Sequence, residues 1–228
     1  MRKSLCCYHS GVNALNNSIT GSSPAGSINT VFLDRDGVIN EKMPEGQYVK
    51  RWDEFRLLPD VPQAIRLMND SGMRVFVVSN QRGVALGLYT ADDVRTIHAE
   101  LQKLLQSHGA HIDAFFFCPH DKAKCTCRKP LPGMFEQAVA EFPEITAADS
   151  VMIGDSISDI DFGRRLGMTT VFLEGDPDRQ MPEAELAREL ADLRFSSLYE
   201  AVTGLQARIT EHRRSTGAMC LGLPSNPR

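Results

Sequence analysis

The stretch "VFLDRDGVIN", residues 31–40, places two acidic residues at the end of an apolar run. The apolar residues are typical of a buried strand, and Gly37 favours a turn directly after the second acid. Asp34 and Asp36 are one residue apart, so their like charges repel each other unless a cation or a shared proton compensates them. A polar turn that merely closes a strand is the alternative interpretation of the same residues.

Short apolar runs alternate with helix-like segments beyond this stretch. The predicted strands are 30–34, 73–80, 112–119, 150–155 and 168–175, and the predicted helices are 60–72, 89–109, 133–142 and 157–167. This alternation predicts a Rossmann-like, doubly wound α/β fold, a parallel sheet with helices on both faces. Ligands bind such folds beyond the carboxyl ends of the strands. Because Asp34, Ser79 and Asp155 each end a predicted strand, we expect them to line one crevice.

The composition excludes several functional classes. The chain has 228 residues, 42% hydrophobic and 24% charged, with a formal net charge of -4. An acidic chain has no general attraction to nucleic acid or anionic membranes, and no apolar run approaches the roughly 18 residues of a membrane span. We therefore expect a cytoplasmic monomer that acts on a small molecule, with no nucleic-acid or membrane partner.

The two ends of the chain differ from its middle. Residues 1–28 are rich in small and polar residues and contain no continuous apolar segment, which predicts a disordered extension and not a secretory signal. Residues 29–210 form the expected main domain. Residues 211–228 are predicted to be a flexible tail.

A hydroxyl, a lysine and a third acid complete the candidate site. Ser79 lies in "VVSNQ" (77–81), Lys129 in "RKP" (128–130) and Asp155 in "IGDSISD" (153–159). Mg²⁺ favours a few carboxylates together with water and phosphate oxygens. Acid, hydroxyl, lysine and acid on loops after successive strands therefore predict phosphoryl transfer to an aspartate.

These segments, in this order, resemble the motifs of the haloacid dehalogenase-like phosphatases over residues 30–175. The resemblance implies a phosphoric monoester hydrolase without a large cap domain, in which Asp34 is the nucleophile and Asp36 the general acid and base. It also implies Mg²⁺ held by Asp34, Asp155 and the backbone carbonyl of Asp36. Ser79 and Lys129 would hold the phosphate oxygens.

The segment "CPHDKAKCTC", residues 118–127, contains three of the six cysteines. Cys118, His120, Cys125 and Cys127 form a complete tetrahedral donor set for structural Zn²⁺, with no position left open for catalysis. Three free thiols beside a surface histidine are the alternative. A bound ion would fix a loop that presents Arg128 and Lys129 to the site.

This loop narrows the resemblance to the D,D-heptose 1,7-bisphosphate phosphatases and the related histidinol-phosphate phosphatases. We favour D,D-heptose 1,7-bisphosphate as the substrate, with release of its 7-phosphate. The reason is that Arg128 matches the arginine that recognises the second phosphate in the heptose enzymes. The short stretch between His120 and Cys125 is closer to the histidinol-phosphate branch, which remains the alternative. The other candidate substrate-binding residues are Gly46, Tyr48, Asn80, Gln81, Arg82 and Lys129.

Two positions depart from the heptose enzymes. Arg82 stands where a small polar residue is usual, and either adds a phosphate contact or narrows the pocket. Ser156 follows Asp155 where those enzymes commonly carry a lysine, which places one contact near the metal in doubt. The segment 40–52 is also longer than the usual substrate loop, and residues 40–48 within it are the expected substrate region.

Other residues have simpler interpretations. Asp159 either supports the metal site or is a solvated acid at a helix N-terminus. His98 and His108 are predicted at the surface. A signalling receiver domain and a zinc-dependent nucleic-acid module are the rival functions. Asp36, a candidate proton shuttle, argues against the receiver, and the lack of a basic stripe argues against the module.

Overall fold

One parallel sheet forms the centre of the molecule. The computed structural model describes residues 28–179 and 182–219. Within these ranges, six parallel strands lie in the order β3-β2-β1-β4-β5-β6. The strands are β1 Thr30–Leu33, β2 Arg74–Asn80, β3 Ala114–Cys118, β4 Ser150–Gly154, β5 Thr169–Leu173 and β6 Leu193–Phe195. The helices are α1 Val61–Asp70, α2 Arg82–Ala85, α3 Ala91–Ser107, α4 Gly133–Glu141, α5 Ile157–Leu166, α6 Ala184–Leu190 and α7 Leu198–Met219.

Both faces of the sheet are covered by helices, as the sequence predicts. Alternate side chains of β1 point to opposite faces, so Val31 and Leu33 pack with α1, α3 and α7, whereas Phe32 packs with α4 and α5. Each fully buried side chain of this size stabilises the fold by about 1.5–3 kcal/mol. The doubly wound α/β prediction is therefore confirmed.

Local signals set the helix boundaries. Thr90 begins α3 as a capping box: its hydroxyl accepts the Asp93 N–H at 3.1 Å, and its own N–H donates to the Asp93 carboxylate at 2.7 Å. Gly167 ends α5 with a left-handed φ of 80°, a conformation that costs glycine little. The predicted start of α3 and end of α5 are thus confirmed.

Several features differ from the sequence-based expectations. Strand β6 and the short helix α2 were not predicted, and α7 continues to Met219, beyond residue 211, where the tail was expected to begin. The expected extension, apart from residue 28, and residues 220–228 of the tail lie outside the described residues. In the described part of the chain, no helix has both the length and the apolar character of a membrane span.

The surface prediction for His98 is wrong. Its side chain is buried on α3, with its ring stacked on Phe115 at 4.6 Å and edge-on to Phe117 at 5.9 Å. Burial lowers the pKa of His98 to about 3. A neutral imidazole packed between aromatic rings behaves as a core residue, whereas His108 is exposed as predicted.

Candidate active site

The carboxyl ends of the central strands bring the candidate residues to one edge. In register, Leu33 of β1 lies between Val77 of β2 and Ile153 of β4, and the Asp34 N–H donates to the Ile153 carbonyl at 3.0 Å. Asp34 and Asp155 directly follow β1 and β4, while Ser79 lies near the end of β2. Parallel pairing therefore places all three at the same edge, although they are far apart in the chain.

Lys129 reaches this edge from the loop beyond β3. Its buried ammonium group lies 2.9 Å from Asp34 Oδ1 and 2.6 Å from Asp159 Oδ1, and it donates to the Val78 carbonyl at 2.6 Å. Burial alone lowers the pKa of Lys129, but the two carboxylates outweigh burial and the pKa is raised. The lysine is therefore charged and held on three sides.

Asp159 is a partner of Lys129 and not a solvated acid. It is fully buried, and its second oxygen accepts hydrogen bonds from the Ser156 hydroxyl at 2.5 Å and the Ser156 N–H at 3.1 Å. A Cβ atom at Gly154 would lie 2.2 Å from the Cβ of Asp159, so only glycine leaves room for this side chain. Asp159 thus fixes the lysine and caps α5 at the same time.

The two carboxylates that end β1 and β4 are harder to ionise than an ordinary aspartate. Burial is the largest cause that raises the pKa of Asp34 to about 7; Lys129 opposes the rise and Asp159 adds to it. Burial likewise raises the pKa of Asp155 to about 6, against the effect of Lys42. A divalent cation would favour the charged form of both side chains.

Asp36 has the opposite electrostatic environment. The buried guanidinium of Arg35 donates to both Asp36 oxygens, at 2.8 and 2.9 Å, and the amides of Asn40 and Gln81 donate at 3.0 Å each. Burial alone raises the pKa of Asp36, but Arg35 and these hydrogen bonds outweigh it, so the pKa is lowered. In this arrangement Asp36 is a carboxylate.

Gln81 connects Asp36 to the hydroxyl of Ser79. Its amide nitrogen donates to Ser79 Oγ at 2.8 Å as well as to Asp36, and its amide oxygen accepts the Tyr89 hydroxyl at 2.8 Å. Burial raises the pKa of Tyr89 to about 12, so the phenol stays a donor. The amide orientation of Gln81 is fixed by these three bonds.

The cysteine and histidine side chains of the 118–127 loop converge on one point. Their donor atoms all lie within 4.8 Å of one another. Cys125 Sγ is 3.5 Å from Cys118 Sγ and 3.4 Å from Cys127 Sγ, and His120 Nδ1 is 3.3 Å from Cys127 Sγ. Tetrahedral Zn–S bonds of about 2.3 Å place sulfur atoms about 3.8 Å apart, whereas a disulfide needs about 2.0 Å. The four residues therefore fit a tetrahedral metal ion and not a disulfide.

Comparisons with known proteins agree with this geometry. Residues 126–201 match a family model described as HAD-hydrolase-like. The D-glycero-alpha-D-manno-heptose-1,7-bisphosphate 7-phosphatase of Mycobacterium tuberculosis is 40% identical over 137 residues, which are 60% of this chain and 72% of that protein. The D-glycero-D-manno-heptose-1,7-bisphosphate 7-phosphatase of Chlorobaculum tepidum is 32% identical over 192 residues, 78% of this chain and 94% of that protein. The chain belongs to the HAD-like phosphatases.

A solved phosphatase structure has a similar fold. The D,D-heptose 1,7-bisphosphate phosphatase from B. bronchiseptica, crystallised with magnesium and phosphate, is 27% identical, with a TM-score of 0.69. The similarity covers 79% of this chain and 99% of that protein. As a HAD-like phosphatase, the present chain is a phosphoric monoester hydrolase.

The candidate substrate-binding residues of this HAD-like phosphatase are more widely spaced than its candidate catalytic residues. The Asn80 amide bonds to the backbone of Lys129, Arg82 Nε donates to Asp121 at 2.6 Å, and Gly46 lies in an exposed turn. Tyr48 is half-buried, with its ring 5.9 Å from that of Tyr89.

Arg128 is half-buried beside the metal-binding loop. Its Nη1 is buried and has no hydrogen-bond partner among the described residues. A buried guanidinium nitrogen without an acceptor is a suitable donor for an anionic ligand.

Sequence reasoning missed two cations of the site. Arg35 is completely buried against Asp36, and Lys42 Nζ lies 2.7 Å from Asp155 Oδ2. No motif marked Lys42, because its partner is 113 positions away in the chain. Arg35 could have been found from the sequence, because a cation between two acids at the end of a buried strand has few partners other than those acids.

Proposed function

We propose that the chain is a Mg²⁺-dependent phosphatase that removes the 7-phosphate from D-glycero-D-manno-heptose 1,7-bisphosphate. The observation that carries this proposal is the meeting of Asp34, Lys129 and Asp155 at one sheet edge. The similarity to this chain covers most of the length of two relatives that are named for this activity. Their names favour the heptose bisphosphate over histidinol phosphate as the substrate.

Asp34 is the proposed nucleophile. Its carboxylate attacks phosphorus, the bond from phosphorus to the sugar oxygen breaks, and an aspartyl-phosphate forms that water then hydrolyses. The raised pKa of Asp34 opposes the ionised form that this attack requires. Magnesium, when held by Asp34, Asp155 and the backbone carbonyl of Asp36, supplies positive charge that favours the carboxylate and reduces its repulsion of the phosphate. Asp155 Oδ1 supports this ligand set, because it is buried without a hydrogen-bond partner among the described residues.

Asp36 is the proposed general acid and base. It gives a proton to the departing alkoxide and takes one from the water that hydrolyses the intermediate. The bidentate contact with Arg35 favours the carboxylate, which is the form that accepts the proton. To act as an acid, Asp36 must first take up a proton, which requires its contact with Arg35 to weaken, because that contact lowers its pKa.

Ser79 and Lys129 are the proposed ligands of the phosphate oxygens. Ser79 Oγ accepts the Gln81 amide, so its own hydrogen is available to donate to phosphate. Lys129 remains charged because Asp159 compensates it when Asp34 becomes esterified. Transferring the negative charge from Asp34 to the phosphoryl group therefore leaves the lysine paired throughout.

Arg128 is the proposed contact of the second phosphate. Its buried Nη1 has no hydrogen-bond partner among the described residues, which supports this role. Histidinol phosphate has no second phosphate that could accept from this nitrogen. Arg82 is paired with Asp121, so its expected effect is to shape the pocket entrance and not to bind phosphate directly. The proposed role of Zn²⁺ at Cys118, His120, Cys125 and Cys127 is to hold the loop that carries Arg128 and Lys129.

Steady-state kinetics on the full-length, zinc-loaded protein test the proposal. Phosphate release is measured with both anomers of the heptose 1,7-bisphosphate and with histidinol phosphate, each with Mg²⁺ and with Mg²⁺ omitted. We expect Mg²⁺-dependent turnover with one or both bisphosphate anomers and a kcat/KM for histidinol phosphate lower by at least about tenfold, about 1.4 kcal/mol. Preference for histidinol phosphate, or a long-lived phosphoprotein without turnover, would contradict the proposal.

A further inference from the structure

Lys42 is the second lysine of the site and comes from the loop between β1 and α1. Its ammonium group lies 2.7 Å from Asp155 Oδ2, and about a fifth of the side chain is exposed. A cavity of about 180 Å³ lies beside the pair, and Gly37, Lys42 and Asp155 contribute to its wall. A ligand that reaches Asp155 through this cavity therefore meets Lys42 as well.

The two oxygens of Asp155 have different environments. Oδ2 accepts from Lys42 and faces Gly37, where an added Cβ would lie only 2.2 Å away. Oδ1 is buried and has no hydrogen-bond partner among the described residues. The carboxylate is thus held by one oxygen while the other is left for a ligand, which is the usual division for a metal-binding carboxylate with a hydrogen-bonded support.

The cation beside Asp155 does not come from the residue that follows it in the chain. Ser156, the next residue, uses its hydroxyl and N–H to bond Asp159 and begin α5. Lys42 reaches Asp155 from the loop after β1, 113 positions away in the sequence. The cation beside Asp155 is therefore supplied by the loop and not by the strand that carries the acid.

We propose that Lys42 is a positioning residue for magnesium: it fixes Asp155 through Oδ2 so that Oδ1 is presented to the ion. The inference rests on the proposed magnesium-dependent function. It also connects the 41–50 loop to the metal site through the contact between Lys42 and Asp155.

The charges of the site are compatible with magnesium binding while Lys42 stays in place. Four carboxylates are compensated by three cations, which leaves one negative charge. The carboxylates are those of Asp34, Asp36, Asp155 and Asp159, and the cations are Arg35, Lys42 and Lys129.

Direct titration of Mg²⁺ into the zinc-loaded, full-length protein tests the inference without substrate. We expect Lys42→Met to raise the Kd for Mg²⁺ about 10- to 100-fold, the usual effect of losing such a supporting contact. Lys42→Arg should recover part of the affinity, since arginine can also donate to Oδ2. Lys50→Met, an equal loss of charge at an exposed position of the same loop, should leave the affinity unchanged.

The sign of the change separates positioning from competition. If Lys42 only occupied the place of the ion, its removal would tighten Mg²⁺ binding, and that result would overturn the inference, as would an unchanged affinity. Lys42→Met should keep a cooperative thermal transition and the zinc content of the wild type, which excludes general unfolding as the cause. A wild type that neither binds Mg²⁺ nor releases phosphate contradicts the proposed function itself. A wild type that does both, beside a Lys42→Met variant with normal affinity, contradicts this inference alone.

Discussion

The aspartate site and the cysteine loop are two candidate metal sites built in different ways. The cysteine loop takes its four donors from residues 118–127, whereas the aspartate site combines side chains between residues 34 and 159. The cysteine donors need only one local loop conformation to meet. The carboxylates need the whole parallel sheet, because only strand pairing brings β1 and β4 together. The first site can therefore shape its loop, while the second depends on a fold that already exists.

The two sites are joined through Lys129. This lysine lies two residues after Cys127 and contacts both Asp34 and Asp159. The start of α4 packs directly against the loop, since a Cβ at Gly133 would lie 2.8 Å from the backbone of Cys127. A change in the loop is thus expected to reach the chemistry, while a change in the carboxylates need not disturb the loop.

Asp34→Asn should give the largest effect and leave the cysteine loop intact. Loss of the proposed nucleophile should lower kcat on the order of 10⁴-fold or more. Asparagine has a similar shape, and Lys129 keeps Asp159 as its partner, so the fold and the zinc content should not change. Phosphate release, circular dichroism and metal analysis measure these three properties.

Asp70→Asn is the matched control for this variant, because Asp70 is exposed at the end of α1. Its turnover should equal that of the wild type. Phosphate release that survives in Asp34→Asn would remove the central role given to the aspartate site.

Cys125→Ser, in the cysteine loop, should have the next largest effect on activity. Loss of one thiolate weakens zinc binding, so the loop should lose order, and Lys129 with it. We expect lower zinc content, a thermal midpoint lower by several °C and kcat lower by about 10- to 100-fold.

Thr126→Ser, at an exposed neighbouring position, provides the comparison for the cysteine variant. It should retain zinc and activity. Wild-type turnover in a zinc-free Cys125→Ser protein would mean that the loop does not position the lysine.

A change of pH should have the smallest effect, a shift in thermal midpoint that comes from the aspartate site alone. The folded-state pKa values of Asp34, about 7, and Asp155, about 6, lie above the ordinary 3.8, so the folded protein binds these protons more tightly than the unfolded chain. Their contribution is fully present below about pH 3.8 and is lost as the pH rises through about 7. The magnesium-free protein should therefore lose a few °C of thermal midpoint between pH 5 and 8.

Thermal scans at several pH values, with and without Mg²⁺ and with zinc retained, measure this loss. Added Mg²⁺ should reduce it, because the ion favours the ionised carboxylates, and Asp34→Asn should lack the part that is due to Asp34. An equal loss in Asp34→Asn would mean that other groups cause it.

The sequence predicted the regular parts of the fold because they carry a clear hydrophobic pattern. Runs such as "TVFLD" and "MRVFVVSN" are long enough to be recognised as strands, and Thr90 and Gly167 mark helix ends. Strand β6 has three residues and α2 has four, too few to show a period. Their formation depends on the neighbouring strand or loop.

The candidate site was predictable where residue types in order carry the chemistry. The positions of charged side chains were not, because burial of a charge depends on a partner that only the fold supplies. Lys42 meets Asp155 across the crevice, and Asp159 is buried because Lys129 reaches it. His98 is an example of the same limit: its ring is buried because Phe115 of β3 stacks on it.

The side-chain amide of Asn80 imitates a strand neighbour. It donates to the Lys129 carbonyl at 3.2 Å and accepts the Lys129 N–H at 3.0 Å, so one side chain satisfies both main-chain groups of that residue. Neither bond can form alone without leaving the other half of the amide unmatched. Departure of the lysine segment therefore breaks both bonds together, so each zinc-free molecule is expected to have this segment either docked or released, and the decrease in kcat reflects the released fraction.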